Sequence, residues 1–198
     1  MSIAGAKSHK GFDALVLAGG FAARLGGADK PQLTIAGRSL LDHAVAAVRD
    51  AQRVIVVGPE QPVDGSVVFC REQPPGGGPV AAIAAGLRHT GSDAVVVLAA
   101  DLPFVAPAIP LLLDALPSVG AALLVDDSGR ANYLAAAWRR ASLDEALTAL
   151  GDPTNASARA LTELTPRVLV PDEGGWGRDC DTWEDLAQAR SEREESDA

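Results

Sequence analysis

The stretch "ALVLAGGFAARLGGADKPQL", Ala14–Leu33, joins a short apolar run to a segment that holds Gly19, Gly20, Gly26 and Gly27 together with Arg24 and Lys30. Such a segment suits neither a plain helix nor a plain strand, because glycine loses the most backbone freedom on ordering and favours turns. Directly after a buried strand, it predicts a loop whose backbone approaches a ligand closely and donates N–H groups to it. Arg24 adds a fork for phosphate oxygens and Lys30 a point charge, six residues apart. A flexible surface loop with solvated cations is the alternative; its place after the first strand favours phosphate binding.

Outward from this stretch the chain alternates. Short apolar runs recur at Ala14–Ala18, Val54–Val57, Val67–Cys70, Ala94–Ala99, Ala121–Val125, Tyr133–Trp138 and Val168–Val170. Several are rich in valine, too short for helices and bounded by Gly, Pro or Asp, so they predict strands. Segments with helical spacing lie between many of them. In "SLLDHAVAAVRD", Leu40, Leu41, Ala44, Val45 and Val48 share one face. "GPVAAIAAGLRHT" carries Pro79 near a helix start, and "APAIPLLLDALPS" opens with prolines and is expected to end before Pro117. Strands alternating with helices predict an α/β domain around a mainly parallel sheet. Residues 1–190 are expected to form a single domain, and the small, polar, net acidic stretch 191–198, "SEREESDA", a fraying tail.

Composition narrows the function. Of 198 residues, 47% are apolar, enough for a full core. The 26 acidic and 17 basic residues give a net charge of −9, which argues against a nucleic-acid partner but not against a small anion held by local positive charge or a metal. No apolar run reaches the roughly 18 residues of a membrane span. The N-terminus "MSIAGAKSHKGFD" has no hydrophobic core region of a secretory signal, so the expected setting is cytoplasmic. Cys70 and Cys180 stand far apart with no CxxC partner, which speaks against a disulfide framework or a zinc site.

The glycine loop matches neither of the common phosphate motifs. Lys30 follows Asp29 and precedes Pro31, so it is not a Walker A lysine, and the glycine spacing is not GxGxxG. A second loop stands out in "AADLPF", where Asp101 ends the run "AVVVLAA". An Asp before Leu-Pro can shape a turn. Beside a phosphate loop it favours magnesium, a hard cation that takes one or two carboxylates and shares its remaining positions with phosphate oxygens and water.

These segments resemble a known family. "LAGGFAARLGGADKPQL" resembles the LAGG-x-S/A-x-R-hG-x-x-K signature of the nucleotidyltransferases that include the molybdenum cofactor guanylyltransferase (MobA) family. "GGGPVAAIAAGL" resembles that family's GPLAGI-type loop and helix, "LAADLPFVAP" its segment around the metal aspartate, and "DCDTWEDLAQA" its NxNTPEDL terminus. The four occur in the family's order. Aspartates at 179 and 181 replace the two asparagines, Trp183 replaces the usual proline, and Ala99-Ala100 replace a more polar pair.

The resemblance implies a three-layer Rossmann-like nucleotidyltransferase domain, and transfer of GMP from GTP to the phosphate of a molybdenum–pterin cofactor with release of pyrophosphate. An anionic acceptor phosphate needs no histidine base; positioning and electrostatic stabilisation by magnesium and cations carry the reaction. Leu17, Ala18, Gly19 and Gly20 would cradle the nucleotide, Arg24 and Lys30 would neutralise the triphosphate, and Asp101 would hold Mg2+. Asp181, or failing it Asp179, would be a second carboxylate on that ion. Glu72 is a candidate base contact, or else a solvated loop carboxylate. GTP and the molybdenum–pterin cofactor are thus the expected partners, with other proteins of cofactor biosynthesis or acceptor proteins as further ones. Cytidylyl transfer to the same cofactor, and guanylyl transfer to another phosphorylated acceptor, are the alternatives within the fold. A non-catalytic nucleotide-binding regulator is the alternative outside it, against which Arg24, Lys30 and Asp101 speak.

Overall fold

The computed structural model describes residues 11–19 and 29–196. All seven apolar runs form strands; in the valine-rich runs Val54–Val57 and Ala94–Ala99, β-branched residues suit a pleated surface buried on both faces. With the short β2 (Thr34–Ile35) and β3 (Arg38–Ser39), which no apolar run announced, the strands in chain order are β1 (Phe12–Leu17), β2, β3, β4 (Arg53–Val57), β5 (Val68–Cys70), β6 (Ala94–Ala99), β7 (Ala121–Val125), β8 (Ala131–Arg139) and β9 (Arg167–Pro171). Seven of them make one sheet in the order β5-β4-β1-β6-β8-β7-β9, and β2 and β3 pair separately. Pairing is parallel for β1 with β4 and β6, β4 with β5, and β7 with β9. Only β8 runs antiparallel to its neighbours β6 and β7 in that sheet. The reversal comes from a tight hairpin: the Asp126 carboxylate accepts the N–H groups of Ser128 and Arg130, and Gly129 adopts a φ of 82°.

The helices are α1 (Leu40–Ala47), α2 (Gly78–Leu87), α3 (Ala108–Ala115), α4 (Arg140–Leu150), α5 (Ala158–Glu163) and α6 (Trp183–Ser196). As expected, α3 ends before Pro117. Alternation along each strand divides the core between two sheet faces. On one, Ala14 and Val16 of β1 pack with Val96 and Leu98 of β6 beneath α1 and α3. On the other, Leu15 and Leu17 join Val95 and Val97 beneath α2, α4 and α5. The result is the three-layer α/β arrangement. Gly86 lets α2 lie close on the sheet, since a Cβ there would stand 2.8 Å from Val57 and 2.9 Å from Leu15. Among the described residues, no helix is long and apolar enough to cross a membrane.

One expectation is corrected at the C-terminus. Residues 191–196, read as a fraying tail, continue α6. Long side chains bind this last stretch to the body. Glu192 accepts from Arg178 and from Gln188, one turn earlier, while Arg193 donates to the Pro103 carbonyl at 3.0 Å.

Candidate active site

The carboxyl ends of β1, β4, β5 and β6 lie side by side, and three charged residues meet there. Lys30 opens a single 3-10 turn (Lys30–Gln32) in which Pro31 presets the backbone. Its ammonium donates to the Asp101 carboxylate, just beyond β6, and to Asp181 Oδ1 at 2.5 Å, just before α6. The three side chains come from points 71 and 151 residues apart in the chain. Burial alone would lower the lysine's pKa; Asp101 and then Asp181 outweigh it, and the pKa is raised. One cation between two carboxylates leaves the group net negative.

The oxygens have an unmet capacity. Among the described residues, Asp101 Oδ1 is buried without a hydrogen-bond partner, although its fellow oxygen is engaged by Lys30. A buried carboxylate oxygen left unpaired is costly, and a hard cation would satisfy it. Among the described residues no group of three or more His, Cys, Asp or Glu side chains could hold a metal by itself. The two carboxylates and the orphaned buried oxygen are donors of the kind a hard cation such as magnesium takes, its remaining positions filled by phosphate and water. Asp181, rather than Asp179, shares Lys30 with Asp101. Asp179 stands exposed nearby, its carboxyl pushed up by partial loss of hydration and then by Asp181 and Asp101.

Local signals fix the Asp181 side. The Thr182 hydroxyl accepts the Asp185 N–H at 3.1 Å, while the Asp185 carboxylate accepts the Thr182 and Asp181 N–H groups. This is a reciprocal cap at the start of α6, and "TWED" carries its sequence pattern, a signal that sequence reasoning passed over. Behind the charged residues, Ile35, Leu40, Cys180, Leu186 and Ala189 form a small apolar cluster separate from the two main ones, with Leu33 and Phe104 packed against it. Cys180 lies inside it, and burial followed by the Asp101 carboxylate pushes its thiol up to about 12. It is therefore a protonated packing group. Both cysteines are free.

Of the glycine loop, Leu17 and Ala18 are buried and Gly19 is exposed. The Leu17 carbonyl accepts from the Ala100 N–H at 3.0 Å and the Ala18 N–H donates to the Val57 carbonyl at 2.9 Å. These backbone groups are thus engaged in the sheet, so the two residues form a floor and Gly19 is the first open backbone position. Gly20 and Arg24 lie outside the described residues. Glu72, which follows β5, is buried rather than solvated: it accepts the Gly76 N–H at 2.8 Å and braces the glycine-rich approach to α2.

Beside the charged group opens a cleft of about 890 Å³, lined by Arg130, Asn132, Tyr133, Arg159, Arg178 and Asp179 among others. Its wall after β9 is built by Asp172, whose carboxylate accepts the N–H groups of Trp176 and Gly177, and by Asn132, which donates to the Gly177 carbonyl at 2.9 Å. Sequence reasoning assigned no role to Asn132 or Tyr133 and did not single out the arginines. They converge from the hairpin before β8, from β8 itself, from α5 and from the loop before α6, with no local spacing to betray them.

Known proteins share this plan. A protein named molybdenum cofactor guanylyltransferase from Acidiphilium cryptum is 33% identical over 142 residues, spanning 66% of this chain and 68% of its own. Another of that name from Cereibacter sphaeroides is 30% identical over 194 residues, covering 89% of this chain and 94% of its own. Among solved structures, the molybdopterin-guanine dinucleotide biosynthesis protein A of Archaeoglobus fulgidus superposes with a TM-score of 0.69 over 92% of this chain and 99% of that one, at 21% identity. The family described as the MobA-like NTP transferase domain matches residues 14–168, which take in Lys30 and Asp101 and stop short of Asp181. On the strength of that match, and of relatives that align across most of its length, the chain belongs to the MobA-like NTP transferase domain family.

Proposed function

We propose that this nucleotidyltransferase transfers GMP from GTP to the phosphate of a molybdenum–pterin cofactor. The observation that carries the reading is the convergence of Lys30, Asp101 and Asp181 at the sheet's carboxyl end, in a chain similar to proteins named molybdenum cofactor guanylyltransferase. A phosphate oxygen of the acceptor forms a bond to the α-phosphorus of GTP. The bond from that phosphorus to the bridging oxygen breaks, and pyrophosphate leaves with the electron pair. The attacking phosphate is already ionised near neutral pH, so no side chain has to remove a proton.

The work of the protein is to gather like charges. Gly19 and Gly20 give the triphosphate a close backbone approach, and Arg24 and Lys30 balance its charge. Asp101 and Asp181 would hold Mg2+, whose role when bound is to stabilise the charge on the transferring phosphoryl group. Glu72, with the glycines before α2, is the candidate contact for the base. The acceptor would occupy the cleft beside Asp179, whose lining mixes Arg130, Arg159 and Arg178 with six acidic side chains, so that an anion bound there would need Arg130 or a cation beside it.

Pyrophosphate release tests the reading, measured with purified molybdenum–pterin cofactor and either GTP or CTP. Release with GTP and magnesium, absent with CTP, is expected. Release with CTP alone would replace the guanylyl assignment with the cytidylyl one. A folded protein that binds GTP but is silent with both would overturn the acceptor.

A further inference from the structure

The far end of α6 carries two side chains that reach back toward the carboxylates, Arg193 to the loop after Asp101 and Glu192 to Arg178 in the segment before Asp181. Arg193 donates to the Pro103 carbonyl at 3.0 Å, and its guanidinium lies 5.1 Å from the centre of the Phe104 ring. Arg178 lies 5.3 Å from the same centre and holds Glu192 with both of its terminal nitrogens, at 2.9 and 2.5 Å. Pro103 and Phe104 are the second and third residues after Asp101, and Arg178 is the third before Asp181. At the near end of the helix, the Cys180 N–H donates to the Asp101 carbonyl at 3.1 Å. The backbones that bear the two carboxylates are therefore tied together at three places, two of which depend on the last turns of α6. Phe104 also packs against the small cluster that holds Cys180, Leu186 and Ala189, so a shift of α6 would move Asp181 with it.

We propose that the end of α6 is a positioning latch: Glu192 acting through Arg178, and Arg193 acting through Phe104 and Pro103, set the spacing of Asp101 and Asp181 and thereby the affinity for the divalent metal. Neither residue touches the reacting groups. Two carboxylates bind a small, rigid cation such as magnesium well only when their separation is held, since that ion tolerates little departure from octahedral geometry. Outer groups that orient metal ligands commonly matter more to metal affinity than to folding. An Arg stacked on an aromatic ring and bonded to a carbonyl is a stiff connector, because the planar guanidinium gives up little freedom per contact. The latch rests on the reading of Asp101 and Asp181 as metal ligands.

Calorimetric titration of the full chain with GTP, with and without Mg2+, separates the two ideas. The quantity read is the factor by which Mg2+ tightens GTP binding. In Glu192→Ala and Arg193→Ala that factor should fall by about 3- to 10-fold, with GTP affinity in the absence of metal unchanged and Tm close to wild type. Arg193→Lys, which keeps a positive donor near Pro103 and Phe104, should recover most of the loss. A wild-type protein whose GTP affinity ignores Mg2+ would overturn the metal reading itself. A wild type that responds to Mg2+, with both alanine variants responding equally, would overturn the latch alone. An equal loss of GTP affinity with and without metal would also overturn it, by marking the contacts as merely structural.

Discussion

Lys30 sits where two demands meet. Its ammonium answers both Asp101 and Asp181, so removing it leaves two close carboxylates with mutual repulsion and no shared cation. Lys30→Ala should therefore lower kcat/KM by about 10²- to 10³-fold, the cost typical of losing a preorganised charge at a reacting phosphate. Asp101→Ala should abolish pyrophosphate release while leaving the far-ultraviolet circular dichroism of wild type; near wild-type turnover would remove Asp101 from the site. Asp179 is a different case. Its folded-state pKa is raised, so the folded protein holds the proton more tightly than the unfolded chain does. Stability from this group is present below the unfolded value of 3.8 and declines as pH rises through the folded value, leaving a penalty at neutral pH. Asp179→Asn should raise Tm slightly at pH 7, by less than about 1 kcal/mol equivalent because water screens this exposed group. The gain should vanish below pH 3.8, as thermal melts across that range will show.

The first residues after β1, Ala18 and Gly19, lie in close approach to the end of the neighbouring strand. Gly58 follows β4, and a Cβ there would stand 2.9 Å from the carbonyl carbon and oxygen of Ala18 and 3.2 Å from the Gly19 nitrogen. Backbone atoms cannot swing aside as a side chain does. Gly58→Ala should therefore push Ala18 and Gly19 outward, raising KM for GTP severalfold and costing about 1–3 kcal/mol, measurable by steady-state kinetics and chemical denaturation. Elements differ in how plainly the sequence announces them. The strands were legible because a sheet covered on both faces demands unbroken runs such as "AVVVLA", and nothing else of that length needs them. The two-residue strands Thr34–Ile35 and Arg38–Ser39 were not, since two residues show no alternation. The end of α6 was misread because Ser191–Ser196 offers no apolar stripe. Its support is an arginine 14 residues upstream and a carbonyl 90 residues away, and Arg190 just before it reaches the Thr34 carbonyl, 156 residues away. Glu72 was legible as a residue of interest but not as a buried one, because burial depends on the fold of its own glycine turn. Lys30 drew attention from the chemistry of its glycine loop and Asp101 from its place at a strand end; that Asp181 meets both had no local mark, since an Asp after a buried cysteine announces nothing, and only the family resemblance pointed to it.

The proposed nucleotide site draws on remote parts of the chain, and that has a thermodynamic consequence. The turn at Lys30, the segment after β6 and the start of α6 meet only in the folded state. Lys30 already joins segments separated by 71 and by 151 residues. A ligand that engages them together binds the native protein and not the unfolded chain, so it must stabilise the whole fold by linkage. At 100 times its dissociation constant GTP with magnesium would add about 2.7 kcal/mol, which for a chain of this size moves Tm by about 5–10 °C. The chain's net charge of −9 works against a polyanion approaching alone, so GTP without magnesium should stabilise far less than the pair. Thermal melts with GTP, magnesium, both and neither should therefore show a shift that exceeds the sum of the separate effects. In Asp101→Ala the excess should disappear, while whatever shift GTP gives alone remains. A full excess retained in that variant would mean that the metal and the triphosphate meet elsewhere on the molecule.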